Sequence, residues 1–235
     1  MKKLLILIVI AFTINTNAQE STLLRLNYKK GDVYKMVMTQ NVSSAQMVLD
    51  MKINSELTVL NVNGDIYESE TKFTKLVVDL MQGTNMMSYD SSKSDDELDQ
   101  MGLMLKTQMS PMLSAVISTK GNNLGEVIES KTSIPFQGSE NLGESNVIYP
   151  KEAVRVGDTF KMDKSAAGVT INMVYTVKSI LNDKVILDLA GSGSAKIKGT
   201  LTIDRATGVT LKMDIVTEVV EQGVTTTVGM ITTKQ

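Results

Sequence analysis

Any chemistry in this chain has to be done without histidine and cysteine, because the 235-residue sequence contains neither. That removes imidazole acid–base catalysis, thiolate nucleophiles, Ser-His-Asp triads and zinc sites of the usual ligands. A carboxylate pair or a Ser-Lys arrangement would be left, and no spacing announces either. Two groups of polarisable or charged residues remain. Met81, Met86, Met87, Met101, Met104, Met109 and Met112 crowd into one stretch of a chain with 16 methionines. They read as core filling, because a flexible thioether packs irregular gaps. They also read as an adaptable lid over an apolar ligand, or as thioether donors to Cu(I). Asp90, Asp95, Asp96, Glu97 and Asp99 form an acidic cluster. It lacks the glycine-turned spacing of a Ca²⁺ loop and reads as a solvated helix start, with a weak cation site as the other reading.

The helix that carries the methionines is expected to start at Ser94-Asp95-Asp96-Glu97, a capping box whose acids suit the helix dipole. Leu98, Met101, Leu105, Met109 and Met112 follow at three- and four-residue steps and predict one apolar stripe. Pro111 is expected to end or kink the helix. Met101, Met104, Leu105, Met109 and Met112 are therefore the candidate ligand-binding residues. No catalytic residue, metal ligand or cofactor is assigned.

Everything else reads as strand. Leu23–Tyr28 is expected to be a first strand, and Tyr34, Met36 and Met38 alternate with polar partners at period two. Met51, Ile53, Leu57 and Val59 continue the pattern, and Asn63-Gly64-Asp65 is a hairpin turn. Tyr67, Ser69, Thr71 and Phe73 share one side of the next strand, whereas Leu76, Val78 and Leu80 take the other phase. A bulge near Thr74-Lys75 would produce that shift. Leu113–Thr119 and Leu124–Ile128 form a hairpin. The second half alternates cleanly from Val169 to Met230 through short turns at Asn182-Asp183-Lys184, Asp204–Gly208 and Glu221-Gln222-Gly223, which predicts antiparallel meanders.

Gly31-Asp32-Val33-Tyr34-Lys35-Met36 returns as Gly157-Asp158-Thr159-Phe160-Lys161-Met162. An internal repeat of this kind points to two similar β units, and each Gly-Asp pair reads as a turn that opens a strand. The expected organisation is a single β-rich domain over residues 19–235, made of units at about 19–130 and 150–235. An irregular connection, residues 131–149, joins them. The fold class is mainly β (α+β): a large curved antiparallel sheet or incomplete barrel with one amphipathic helix as lid. A closed barrel or β-sandwich is the alternative.

The first 18 residues predict an address. Lys2 and Lys3 precede an apolar stretch, Leu4–Phe12, and then Thr16-Asn17-Ala18, the pattern of a cleaved signal peptide. The stretch is about half of the roughly 20 residues a spanning helix needs. The expectation is an exported protein, periplasmic or secreted. It has no transmembrane segment in the mature chain and no cysteine to carry a lipid anchor. With 24 basic against 26 acidic residues and no basic stripe, nucleic acid is not an expected partner.

Several motifs in fixed order resemble an uncharacterised family of secreted bacterial domains of unknown function. They are Lys30-Gly31-Asp32-Val33-Tyr34, Asn63-Gly64, the segment Ser94–Met112, Tyr149-Pro150 through Val154-Arg155-Val156-Gly157-Asp158-Thr159-Phe160, and Ile203-Asp204-Arg205-Ala206-Thr207-Gly208. Phe160 stands where that family often has tryptophan. In shape such domains are similar to the periplasmic lipoprotein carriers of LolA type, an incomplete barrel with a helical lid over an apolar cavity. The resemblance implies no catalytic residues. The resulting expectation is a non-enzymatic exported protein that binds an apolar small molecule or lipid-like group between sheet and helix. A cell-envelope structural or protein-interaction module is the second reading; an enzyme with a carboxylate-lined cleft and a copper binder follow.

Overall fold

The computed structural model describes residues 20–136, 139, 147–166 and 169–235. The signal peptide expected at residues 1–18 lies outside the described residues, as does part of the expected connection 131–149. The first-half strands are β1 (Ser21–Thr22), β2 (Val33–Ser43), β3 (Met47–Asn63), β4 (Ile66–Gln82), β5 (Asn85–Asp90), β6 (Val116–Asn122) and β7 (Val127–Thr132). The second half supplies β8 (Val154–Arg155), β9 (Thr159–Ala166), β10 (Val169–Ile180), β11 (Lys184–Gly193), β12 (Lys196–Asp204), β13 (Thr210–Val219) and β14 (Val224–Lys234). Helix α1 (Gln100–Ser114) lies between β5 and β6.

Twelve strands form one antiparallel sheet in the order β7-β6-β4-β3-β2-β14-β13-β12-β11-β10-β9, with β5 beside β4. Nearly every neighbour in space is the neighbour in sequence, as short turns dictate. The exceptions are β6 beside β4, across β5 and α1, and the long-range seam between β2 and β14, where Met38 faces Met230. Two consecutive meanders are therefore stitched together by the first long strand and the last. β7 and β9 do not pair with each other, so the barrel is not closed.

The sheet is nonetheless strongly curved at one end. Leu26 N donates to Asn123 O in the β6–β7 loop at 2.8 Å, and Asn27 N donates to Thr207 O in the β12–β13 loop at 2.9 Å. Six strand spacings separate β6 from β12, which would be about 29 Å in a flat sheet. Adjacent residues lie only about 3.8 Å apart, so the two wings must bend towards each other to meet Leu26 and Asn27.

Those contacts correct one expectation. Leu23–Tyr28 is not a strand of the large sheet. Only Ser21 and Thr22 are strand, paired with Arg155 and Val154, and the chain then crosses the concave face. Its period-two pattern is real: Thr22 and Leu24 are buried, and Leu23 and Asn27 are exposed. The alternation arises because one side meets the core beneath, not because a ladder runs on both edges.

The two Gly-Asp turns are built alike. Gly31 N donates to Val59 O (2.8 Å), Asp32 N to Lys29 O (3.0 Å) and Val59 N to Asp32 O (2.9 Å), and Lys29 N donates to Asp32 Oδ2 (3.0 Å). In the second copy Gly157 N donates to Val177 O (2.8 Å), Asp158 N to Arg155 O (3.0 Å) and Val177 N to Asp158 O (2.9 Å). Arg155 N donates to Asp158 Oδ2 at 2.8 Å. The glycines have φ of 87° and 91°, a conformation that costs glycine little. The expected bulge is also present: Asn54 faces Lys75 and Ser55 faces Phe73, leaving Thr74 as the extra residue.

The helix differs from expectation at both ends. Glu97 accepts from the Ser94 amide (2.9 Å) and hydroxyl (2.8 Å), but this stabilises only a 3₁₀ turn at Asp95–Glu97. Asp99 caps α1 itself, accepting from Gly102 N at 2.7 Å. Pro111 sits inside the last turn, and the helix continues to Ser114. The lost amide bond there is tolerable because the Ala115 cap already closes the end through Met112 O.

Candidate functional site

Helix α1 packs on β4 and β5, at one side of the concave face. Leu105 is buried with Ile53, Leu76, Val78 and Tyr89, and Leu98, Met109, Met112 and Leu113 pack against that cluster. Gly102 lets the helix approach closely, since a Cβ there would meet the Ser88 carbonyl at 3.0 Å. Met101 and Met104 point to solvent, 37% and 47% exposed. The stripe thus runs through Leu98, Gly102, Leu105, Met109 and Met112, one step round from the sequence expectation. The two methionine pairs fall on different faces. None of the five expected site residues lines the cavity described next.

The middle of the concave face is covered by residues 22–28 and 147–154 instead of by the helix. Under them lies a cavity of about 300 Å³. Its floor is the inward face of successive strands: Tyr34, Met36 and Met38 of β2; Ile53, Ser55 and Leu57 of β3; Tyr67, Ser69, Thr71 and Phe73 of β4. Ile117 and Thr119 of β6, Leu201 of β12, Met213 of β13, and Met230 and Thr232 of β14 continue it. Leu26, Tyr28, Val147 and Tyr149 form the cover. Among the described residues, no Asp, Glu, Lys or Arg lines it.

The cover is pinned where it crosses the β6–β7 and β12–β13 loops. The Tyr149 hydroxyl donates to Gly208 O at 2.7 Å, and Tyr149 N donates to Leu124 O at 2.8 Å. Gly208 has φ 68°, and a Cβ on it would stand 2.0 Å from the Arg25 carbonyl. Only glycine allows the crossing segment to lie this low over the β12–β13 loop. The Arg25 guanidinium then ties the two cover segments together through the carbonyls of Pro150 and Lys151.

Tyr28, Tyr34 and Tyr149 are held neutral. Burial, followed by the neighbouring Tyr67, Tyr34, Tyr149 and Asp32, raises the Tyr28 hydroxyl far above the usual phenol range. Burial and then Asp32 raise Tyr34, and burial raises Tyr149. Tyr28 packs edge-on against Tyr67 at 4.9 Å and tilted against Tyr34 at 5.5 Å. These are hydrogen-bonding groups that bring no charge.

The acidic cluster is occupied by local partners. Asp90 accepts from the Ser92 hydroxyl (2.6 Å) and amide (2.9 Å) and pairs with Lys75 at 3.1 Å. These bonds, the Ser92 hydroxyl first, hold its carboxyl at about 2. Asp95 pairs with Lys106. Among the described residues no three acidic side chains are grouped to hold a metal ion.

Sequence reasoning missed the hydroxyl residues. Ser55, Ser69, Thr71, Thr119 and Thr232 line the cavity; Ser69 faces Thr119, and Ser55, Thr71 and Thr232 face Phe73, Leu57 and Met36. The signal was present in β4, where Ser69 and Thr71 share the phase of Tyr67 and Phe73. Small polar residues at core-facing positions leave space.

No family model matches the chain, and no curated protein matches it. Solved structures do. A lipovitellin structure, described as showing lipid–protein interactions, matches with TM-score 0.51 and 8% identity over 88% of this chain. This chain spans 25% of the length of that one. The translocator domain of the autotransporter NalP from Neisseria meningitidis matches with TM-score 0.44 and 8% identity, over 88% of this chain and 89% of that one. A putative outer membrane lipoprotein-sorting protein domain from Vibrio parahaemolyticus matches with TM-score 0.26 and 12% identity, over 88% and 86%. What the lipovitellin match establishes is a shared fold, a large antiparallel sheet. Among the described residues no helix is long and apolar enough to cross a membrane.

Proposed function

We propose that this is an exported, non-enzymatic protein that binds an apolar or lipid-like molecule in the cavity between the concave face and its crossing cover. One observation carries the reading. A cavity of about 300 Å³ falls at the lower end of the size range of small-molecule pockets, about 300–1,000 Å³, and among the described residues no charged side chain lines it. Burying unpaired polar or charged groups is costly, so such a wall selects apolar matter. The site moves from beneath the helix to beside it. Met109, Met112 and Leu105 then act at one remove, by packing the cluster that contains Ile53, a lining residue. The lipovitellin likeness supports the architecture that such a cavity needs.

The test is titration of the purified protein with N-phenyl-1-naphthylamine, an uncharged dye that brightens in apolar surroundings, alongside mass spectrometry of an organic extract. Saturable binding, lost when Ser69→Leu and Thr71→Leu fill the cavity together, is expected. Absence of saturable binding, or binding untouched by the filling, overturns the reading.

A further inference from the structure

The wall that suggests an apolar ligand also says how a charged amphiphile must enter. About 300 Å³ holds about ten water-sized groups, which is a chain of about ten carbons. Within that volume a charge would lose its water and meet no counter-ion. The polar atoms on offer are hydroxyls. The Tyr28 ring packs against Tyr67 and Tyr34, and the Tyr34 hydroxyl is bonded to Asp32 at 3.2 Å. The closed end of the trough is the end with the crossing cover and the loops at Asn123 and Thr207. Away from it the inward side chains Val42, Ile215, Val219 and Val228 are only half-buried and share their face with the uncharged Gln40, Thr217 and Thr226, so the concave face there is an uncharged ramp reachable from solvent.

Resting on the binding reading above, we propose that the cavity accepts only an uncharged chain of about ten carbons. A charged headgroup is tolerated only when its chain is long enough to leave the head outside, on the ramp. The site would then discriminate amphiphiles by the product of charge and length and not by charge alone. Short neutral alcohols or esters and long charged lipids both fit; short charged ones do not.

The experiment is displacement of bound N-phenyl-1-naphthylamine from the full protein, at one pH near 8, by alcohol and carboxylate pairs of ten and of sixteen carbons. Water-to-oil transfer favours the alcohol by a factor that is nearly independent of chain length. A shrinking gap is therefore a property of the site. The alcohol is expected to outcompete the carboxylate by at least ~100-fold at ten carbons and by less than ~10-fold at sixteen. A gap that stays constant with length overturns the proposal while leaving the binding reading intact. Failure of the dye to bind at all removes the reading itself. Thr119→Lys supplies a second arm by placing an ammonium in the wall at a half-buried position. It is expected to narrow the ten-carbon gap by ~10-fold or more, and an unchanged gap in a folded variant counts against the proposal.

Discussion

The two wings of the sheet share a backbone plan and differ in what they do with the space they enclose. In the β9–β13 wing the inward positions are large and interlock. Leu187 faces both Val177 and Leu201, Ile203 faces Val185, and Tyr175 faces Leu189 and stacks on Phe160 at 5.1 Å. Val185, Leu187 and Ile203 are fully buried, and Leu24, Tyr149 and Val154 of the cover complete the cluster. In the β2–β6 wing, β3, β4 and β6 set Ser55, Ser69, Thr71 and Thr119 among their large inward residues, and the cover does not fill the remainder. The cavity is thus a matter of side-chain volume on one wing and not of a gap between strands. Filling one wing solidly gives the cover something to stand on while it spans the other.

Three substitutions would break or sharpen that contrast. Leu187→Ala, in the filled wing, is expected to cost about 3–5 kcal/mol, because a close-packed core cannot collapse around the hole. Leu57→Ala, beside the existing cavity, should cost about 1–2 kcal/mol for the same atoms removed. Urea unfolding followed by circular dichroism measures both, and equal losses would abolish the distinction between wings. Gly208→Ala comes next, at about 2–3 kcal/mol, from left-handed strain and the contact with Arg25. Hydrogen exchange at the Leu26 and Asn27 amides should accelerate selectively; a uniform change would mean the cover is not hinged there.

The paired turns allow a finer comparison. Asp32 also accepts from the Tyr34 hydroxyl and pairs with Lys234 at 2.6 Å. Burial pushes its carboxyl up, but the Lys234 ammonium, the Lys29 amide and the Tyr34 hydroxyl outweigh that and hold it below the usual range. A depressed carboxyl contributes stability above its unfolded pKa, about 3.9, and that contribution is lost as pH falls through the lower folded value. Asp32→Asn should therefore cost about 1 kcal/mol at pH 7 and flatten the acid limb of the stability curve. Asp158→Asn, lacking those extra partners, should cost about half as much. Equal effects would show that the turn alone sets the value. The smallest change is expected from Ser69→Leu, within about 1 kcal/mol of wild type because it enters existing space, yet with a large loss of dye binding.

Elements with regular patterns were legible before any coordinates. The bulge at Thr74 could be read because the apolar phase flips between Phe73 and Leu76, and a flip of face needs an extra residue. The hairpin at Gly64 and the second-half meanders followed from turn chemistry. The cover was not legible as a cover. Thr22, Leu24, Leu26 and Tyr28 alternate as a strand would, and nothing in six residues distinguishes a face resting on a core from a face in a ladder. The cavity beside the helix was not legible for a related reason. Methionines drew attention to α1, but Met101 and Met104 face solvent, and Gly102, with no side chain, marks the tightest contact. The cavity is announced by serines and threonines whose significance depends on which strands lie beside them.

The seam between β2 and β14 has a kinetic consequence. Thr39 and Gly229 meet there although 190 positions separate them in sequence. Contacts of such long range are slow to form. Until β14 arrives, β2 presents an open edge in the middle of what will become the sheet, an invitation to intermolecular pairing. The protein's most exposed moment is therefore not in its finished form but in the interval before its last strand docks, and a holding factor that covers β2 during that interval should raise the yield of folded chains.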